Sequence, residues 1–298
     1  TTIVPAVATS VGAIAGVFNW GPIGQRILID SETTLVNSFG KPNSNNAETF
    51  FTSANFLSYT NALWVVRAAN TSASLSSQGA KNAYANVGSV AVAPIVLNST
   101  DFLSRQGTFD TDVLYIAKYP SGLYGNSLRI SVCDSVNAFS SNVSLIANTD
   151  TAATITTNIG SNTITVVVSS VSGSVTSTGT FATALAGSFI LGDQIALGNS
   201  AIGFQFPSIS AIGSSSVVGT NTVFTISTFD PFRLGTQFIA NSTQNSTITR
   251  RWEFFNSVGA APITSAYVAQ FGNSAAVDTM HIVVQDENGI FTGQPGTV

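Results

Sequence analysis

The stretch GVFNWGPIGQRILIDSETTLVNSFGKP, residues 16–42, joins a Trp-Gly-Pro corner, a short apolar run and a helical pattern. The Gly-Pro dipeptide at Gly21 is a turn signal, and residues 26–29 have the composition of a short strand. Ser31 is a typical N-cap residue, because its hydroxyl can accept a hydrogen bond from an unpaired amide of the first helical turn. Gly40, followed by Lys-Pro, is a helix stop. The stretch therefore predicts a corner, a strand and a capped helix.

A second helix is predicted downstream of this corner. Apolar residues recur at helical spacing from residue 47 to residue 58, which predicts a helix with the rings of Phe50 and Phe51 near one face. Asn61 is predicted to end this helix, because asparagine tolerates the left-handed conformation.

Two further apolar runs predict strands of the same sheet. Residues 62–67 form a continuous apolar run, typical of a strand that is buried on both faces. Residues 12–18 form a small, apolar run before the corner. Strands and helices together predict an α/β unit over residues 1–70.

The rest of the chain predicts mostly strands. Residues 71–135 are interpreted as a linker and a β subdomain, with strands at 113–117 and 127–132. Short runs of Val, Ile, Thr and Phe between Gly, Ser and Asn indicate a β-rich sandwich or barrel at 136–262.

Residues 263–298 are predicted to return to the first unit. They contain an alternating strand at 279–286 and a turn at 287–289 that leads into a hairpin strand at 290–291. If this strand rejoins the first sheet, the β-rich region is an insertion. The predicted fold class is α+β: a small α/β unit with a large β-rich insertion.

Composition excludes several functional classes. Charged residues make up 8% of the 298 positions, and the formal net charge is −4, so the chain offers no basic surface for nucleic acid. The apolar runs are far shorter than the roughly 20 residues that span a membrane, which predicts no direct membrane insertion.

The sequence contains few residues of the types that form catalytic or metal-binding sites. The only histidine is His281 and the only cysteine is Cys133, so we predict no metal site, no cofactor and no enzymatic activity. A hydrolase that uses a serine or Cys133 with His281 is the weakest of the alternatives that stay open. The sequence from Gly21 to Arg26 lacks the spacing and the Lys-Ser/Thr pair of a phosphate-binding loop.

Several blocks of this sequence resemble the contractile tail sheath protein of tailed bacteriophages. The resemblance covers residues 8–69 and is carried by AIAGVFNWGP at 13–22, LVNSFGKP at 35–42 and LWVVRA at 63–68. A second block, AKYPSGLYGNSLRISV at 117–132, resembles a turn and strand of the same family.

This resemblance implies a structural role in the virion. It implies a helical homo-oligomer around the tail tube protein, with neighbouring subunits linked by added strands and with contraction by rigid-body rearrangement that drives the tube through the host envelope. Baseplate and tail terminator proteins are implied as further partners, and assembly is implied in the host bacterial cytoplasm. An arm before Thr1 and a further core and arm after Val298 are also implied.

Two predictions concern contact surfaces. Because exposed charges can pair between subunits, the predicted intersubunit contacts are the charged residues of the α/β unit and the returning strand, with solvated surface as the alternative: Arg26, Lys41, Glu48, Arg67, Asp286 and Glu287. The alternative function is a β-rich glycan-binding module on a virion surface, with a platform of aromatic rings: Tyr119, Tyr124, Trp252, Phe254 and Phe255.

Overall fold

The computed structural model describes residues 10–70, 81–91, 93–148, 151–170, 177–235, 238–240, 245–273 and 276–298. The chain divides into two compact units: unit 1 comprises Thr1–Ser131 and Val283–Val298, and unit 2 comprises Val132–Ile282. The boundaries of these two units do not coincide with those of the four ranges predicted from the sequence. The four ranges therefore stay a prediction about domains. Residues 71–80 of the predicted linker lie outside the described residues.

Unit 1 contains the predicted α/β elements and a small additional β pair. In chain order its elements are β1 (Val11–Gly16), β2 (Arg26–Ile29), α1 (Glu32–Phe39), α2 (Ala47–Leu57), β3 (Ala62–Arg67), β4 (Tyr84–Asn86), α3 (Ser99–Arg105), β5 (Val113–Ile116), α4 (Gly122–Gly125) and β6 (Leu128–Cys133). Strands β4 and β5 form an antiparallel pair.

The first sheet of unit 1 has the strand order β1-β3-β2. Strand β3 is parallel to β1 and antiparallel to β2. One face of the sheet packs against both α1 and α2, in a core formed by Phe18, Ile29, Leu35, Phe39, Phe50, Leu63 and Val65. Each large apolar side chain buried in this way contributes about 1.5–3 kcal/mol. The core therefore fixes both helices on the same face of the sheet.

The helix caps follow local sequence signals in one helix and depart from them in the other. The Ser31 hydroxyl accepts a hydrogen bond from the Thr34 amide, and α1 ends at Gly40, as predicted. Helix α2 ends with Ser58 as its C-cap, and no described residue other than glycine has a positive φ angle. The left-handed conformation predicted for Asn61 is therefore wrong.

Two burial predictions for the first unit are also wrong. Phe50 is buried, whereas Phe51 is exposed, because neighbouring positions of a helix diverge by about 100°. Strand β3 alternates between buried and half-buried residues, so it is fully buried on one face only.

Unit 2 is the predicted β-rich region. Its elements after β6 are α5 (Val136–Phe139), β7 (Ser140–Ser144), β8 (Ile146–Asn148), β9 (Thr151–Thr157), β10 (Thr163–Ser170), α6 (Thr178–Gly187), β11 (Gln194–Ile195), β12 (Leu197–Asn199), β13 (Gly203–Gln205), β14 (Ile209–Ile212), β15 (Ser216–Val218), β16 (Asn221–Thr228), β17 (Phe238–Ala240), β18 (Thr247–Arg251), α7 (Phe255–Val258), α8 (Ala266–Phe271) and β19 (His281–Asp286).

Two antiparallel sheets build the core of unit 2. The larger sheet has the order β14-β16-β10-β9-β17, with β15 on β16 and β8 on β9, and the smaller sheet has the order β11-β18-β7. Side chains from both sheets and from α6 meet in one apolar cluster that includes Ile155, Val166, Leu185, Phe224 and Ile248. The α+β class with a β-rich insertion is confirmed.

The return of the chain differs from the prediction in two respects. Strand β19 pairs with β6 and not with the first sheet. Residues 290–291 form no strand; instead, an isolated bridge between Asp286 and Thr297 closes a compact loop.

Candidate functional site: the Trp20 corner and the first sheet

The Trp-Gly-Pro corner is a packed turn whose geometry requires glycine. Gly21 has a φ angle of 97°, and a Cβ atom built on it would lie 2.6 Å from the Ser38 carbonyl oxygen. The Trp20 amide donates to the Phe39 carbonyl at 3.1 Å. The corner therefore holds the end of α1 directly against the turn.

Arg67, at the end of β3, holds the corner from the other side. Its guanidinium donates Nε to the Phe18 carbonyl at 2.9 Å, Nη1 to the Gly21 carbonyl at 2.7 Å and Nη2 to the Pro120 carbonyl at 2.7 Å. Burial lowers the pKa of Arg67 to about 10, so the side chain stays charged at neutral pH. Arg67 was predicted as an intersubunit residue, but its donors are occupied inside unit 1.

An aromatic cluster covers the outer side of the same corner. The Trp20 ring centroid lies 5.3 Å from that of Tyr119, 5.7 Å from that of Tyr124 and 5.2 Å from that of Phe291. The Tyr124 hydroxyl accepts a hydrogen bond from the Lys41 amide at 2.8 Å. The rings contact one another, so Tyr124 is buried and cannot contribute to the predicted glycan platform.

Asp286 anchors the loop that carries Phe291. Its carboxylate accepts hydrogen bonds from the Ser127 hydroxyl, from the amides of Ile290 and Phe291, and from both the amide and the hydroxyl of Thr292. Burial alone would raise the pKa of Asp286, but these hydrogen bonds outweigh it and lower the pKa to about 2.

The role of Asp286 is therefore internal, although an intersubunit contact was predicted for it. Sequence reasoning missed Ser127 and Thr292 as its partners. Small hydroxyl residues carry no signal for such a contact in a chain this rich in serine and threonine.

The other four predicted contact residues are exposed: Arg26, Lys41, Glu48 and Glu287. The guanidinium of Arg26 lies over the ring of Trp64, 5.4 Å from its centroid. These residues are available for contacts, and their assignment to an intersubunit surface stays a prediction.

Strand β1 lies at an edge of the first sheet, and no strand of the described residues pairs with its free side. The Gly16 carbonyl accepts a hydrogen bond from the Ala68 amide at 2.8 Å, so Gly16 and every second residue before it bond to β3. The intervening residues Val11, Ala13 and Ala15 direct their backbone N–H and C=O groups away from β3, because alternate residues of a strand bond to opposite sides.

The outer face of this sheet is apolar apart from Arg26, which lies opposite Val66. It is formed by the side chains that alternate with the inner core, and Val11 and Leu28 on it are 55% and 49% exposed. Trp64 and Val66 lie between these edges and are half-buried. Exposed apolar side chains that lie side by side are typical of interaction surfaces, so this face is a candidate contact surface.

The residues considered for catalysis are packed into unit 2. Cys133 is fully buried, and this burial raises the pKa of its thiol, which opposes formation of a nucleophilic thiolate. The His281 ring lies 6.1 Å from the Trp252 ring, and its Nε2 is 2.9 Å from the Ala260 carbonyl oxygen. This packing accounts for both residues without catalysis.

The described residues offer neither a metal-binding cluster nor a membrane-spanning helix. They contain no group of three or more His, Cys, Asp or Glu side chains placed to hold a metal ion. No helix within the described ranges is both long and apolar enough to cross a membrane.

Trp252 of the predicted glycan platform lies in the core of unit 2, whereas Phe254 and Phe255 are half-buried. Trp252 is 3% exposed, and its ring packs against Phe254 and His281. Its face is therefore unavailable for stacking on a sugar.

Comparison with known proteins gives similarity to one kind of protein. The family model described as "Tail sheath protein Gp18 domain III N-terminal region" matches residues 9–68. The tail sheath protein of Salmonella phage ViI is 34% identical over 125 residues, which are 42% of this chain and 18% of that protein.

Two further tail sheath proteins match a shorter segment. That of Enterobacteria phage T4 is 46% identical over 61 residues, and that of Vibrio phage KVP40 is 45% identical over 60 residues; each match covers 20% of this chain and 9% of the relative. The chain therefore matches less than a fifth of the length of these relatives. The matched residues contain the three-stranded sheet, the Trp20 corner and Arg67, and over this part of its length the chain is similar to phage tail sheath proteins.

Proposed function

We propose that this chain is part of a sheath subunit that assembles with copies of itself into a helical tube around a phage tail tube. The observation that supports this best is the family match over residues 9–68, which coincides with the sheet that has an open edge and an apolar outer face. Helical assembly requires a heterologous contact between two different surfaces of one subunit. An open strand edge provides one such surface.

The proposed connection between subunits is strand addition along β1. The outward backbone groups of Val11, Ala13 and Ala15 offer donors and acceptors at the spacing of a neighbouring strand. The small side chains of this strand leave room for a close approach. The exposed charges of Arg26, Lys41, Glu48 and Glu287 are proposed as secondary contacts, each contributing about 0–1 kcal/mol.

The proposed mechanism of contraction is rigid-body rearrangement of subunits. Such a motion requires a unit that keeps its internal geometry while its contacts change. The three hydrogen bonds of Arg67 and the hydrogen bonds to Asp286 supply that rigidity in unit 1. The tail tube, the baseplate and the tail terminator proteins are proposed partners, in a virion tail assembled in the host cytoplasm.

The proposal is tested by assembly of the full-length gene product that carries this sequence. We expect co-expression with the tail tube protein to give sheathed tubes in negative-stain electron micrographs. The Ala13→Pro variant should remain folded by circular dichroism but form no sheath, because proline removes an outward N–H without breaking a bond to β3.

The matched control is Ala13→Thr, which keeps the amide and should still assemble. If the unaltered protein forms no tubes with its tail tube, the proposed function is wrong. If Ala13→Pro assembles as well as the control, strand addition at β1 is wrong.

A further inference from the structure

Unit 2 contains a groove between an edge strand and a helix. Its volume is about 470 Å³, within the roughly 300–1,000 Å³ of ordinary ligand pockets. One wall is formed by four consecutive residues of β7, from Ser141 to Ser144, and the other by Phe181, Ala184, Leu185 and Ser188 of α6 and its C-terminus. The latter positions have the i, i+3, i+4, i+7 spacing of a single helical face. The groove therefore runs along the length of the strand.

Strand β7 lies at the edge of its sheet: within the described ranges it pairs with β18 and with no strand on its other side. The Leu145 amide donates to the Ser246 carbonyl at 2.8 Å, so Leu145, Val143 and Ser141 form the hydrogen-bonded pairs with β18. Asn142 and Ser144 alternate with them and direct their backbone N–H and C=O groups toward the groove. The groove thus offers unused strand-pairing groups along one wall.

The side chains that line the groove carry no unpaired charge. Among the described residues that line it, Arg250 is the one with a charged side chain; it forms a buried ion pair with Asp193 and donates to the Asn137 carbonyl at 2.8 Å. Phe181, which is half-buried, supplies an apolar surface opposite the strand edge, whereas Leu185 belongs to the core and is 2% exposed. A charged ligand would gain no partner here, whereas an extended segment with an apolar side chain would match both walls.

We propose that this groove binds an extended, uncharged peptide segment of a partner protein, which adds to the open edge of β7 as a further strand. Main-chain hydrogen bonds to Asn142 and Ser144 supply the connection, and an apolar side chain of the peptide packs against the half-buried Phe181. This site lies in unit 2 and does not depend on the assembly contact proposed for β1.

The test uses the 298-residue chain and a fluorescein-labelled peptide of sequence GTVTITG, followed by fluorescence anisotropy. We expect saturable binding that weakens about tenfold in Asn142→Pro, the effect of losing one backbone hydrogen bond and leaving its acceptor unpaired. The proline affects no backbone bond to β18, because the Asn142 amide points outward; both the proline and the alanine variant lose the hydrogen bond that the Thr249 hydroxyl donates to Asn142 Oδ1. The Asn142→Ala variant keeps that amide and should bind like the unaltered chain.

Two further measurements separate backbone pairing from other modes of binding. Ala184→Arg fills the groove from an exposed helical position and should abolish binding, with an unchanged circular dichroism spectrum. A GTVTITG peptide N-methylated at alternate residues on one edge should bind at least tenfold more weakly, since its donors on that edge are removed.

The proposal is wrong if GTVTITG fails to bind at millimolar concentration, or if Asn142→Pro and Asn142→Ala bind it equally. It is also wrong if maltohexaose, a neutral saccharide, binds in this groove and is lost in Asn142→Ala, because recognition would then depend on side chains and not on the strand edge.

Discussion

Replacing Arg67 by methionine should destabilise unit 1 severely. The substitution removes three hydrogen bonds from a charged donor and leaves the carbonyls of Phe18, Gly21 and Pro120 without a partner. An unsatisfied buried polar group costs about 1–3 kcal/mol, which gives roughly 3–9 kcal/mol for three groups. Release of a buried cation offsets part of this cost, so we expect a loss of about 3–5 kcal/mol in the free energy of unfolding.

Hydrogen exchange measured by mass spectrometry can follow this loss in unit 1 alone. Because the chain has two compact units, a single unfolding curve need not describe both. A loss of 3 kcal/mol should speed exchange of the protected amides of β3 by about a hundredfold. The matched control is Arg26→Met, which removes an exposed guanidinium from the same sheet and should change exchange by less than about threefold.

Arg67→Lys refines the test. An ammonium group is a compact donor that cannot reach three acceptors held by a planar fork, so this variant should fall between methionine and arginine. The reasoning is refuted if Arg67→Met leaves the exchange of β3 within threefold of the unaltered chain, or if lysine replaces arginine without loss.

Three further expectations concern other contacts. Thermal stability of unit 1 should fall as the pH drops from about 4 to about 2. The pKa of Asp286 is about 2 in the folded state and near 3.8 in the unfolded state, so the unfolded state binds the proton first and is favoured as the pH falls. Asp286→Asn should flatten this dependence. Gly21→Ala should lower the free energy of unfolding by about 1–3 kcal/mol, and more than Gly24→Ala, since only Gly21 lies against the Ser38 carbonyl; urea unfolding compares the two. Arg250→Met should destabilise unit 2 by about 3–5 kcal/mol in urea, because its buried carboxylate partner would be left unpaired, and an effect below 1 kcal/mol would contradict a structural role for the pair.

Local signals in the sequence predicted the elements that depend on neighbouring residues. The cap at Ser31 and the stop at Gly40 were predicted because both act within one turn of a helix. Residues 62–67 were predicted as a strand because an apolar run of that length is too short for most helices. The end of α2 was missed, since Ser58 ends the helix without a residue of special backbone conformation.

Features that depend on distant residues could not be predicted. The pairing of β19 with β6 joins positions about 150 residues apart, and no local pattern specifies it. Trp252 has the composition of a binding-surface residue but is buried by Phe254 and His281. Burial of an aromatic ring is decided by tertiary packing and not by the residue itself.

The candidate site likewise combines features that local sequence signals predicted with features that depend on distant residues. The block that contains Arg67 was found by its resemblance to the sheath family, but the sequence predicted an exposed role for that residue. Its acceptors lie 46 to 53 positions away in the chain, so only the fold brings them together. Asp286 was chosen for its charge, whereas its function in the structure comes from amides of its own loop.

The pairing of β6 with β19 has a consequence for how such a chain can diversify. The polypeptide passes from unit 1 into unit 2 along β6 and comes back along β19, so the two crossing points are neighbouring strands, about 5 Å apart. A segment of any size can be exchanged between two points that close, because the ends that it must join do not move. A replacement for unit 2 therefore needs only to begin and end at these two paired strands, whatever its size or fold.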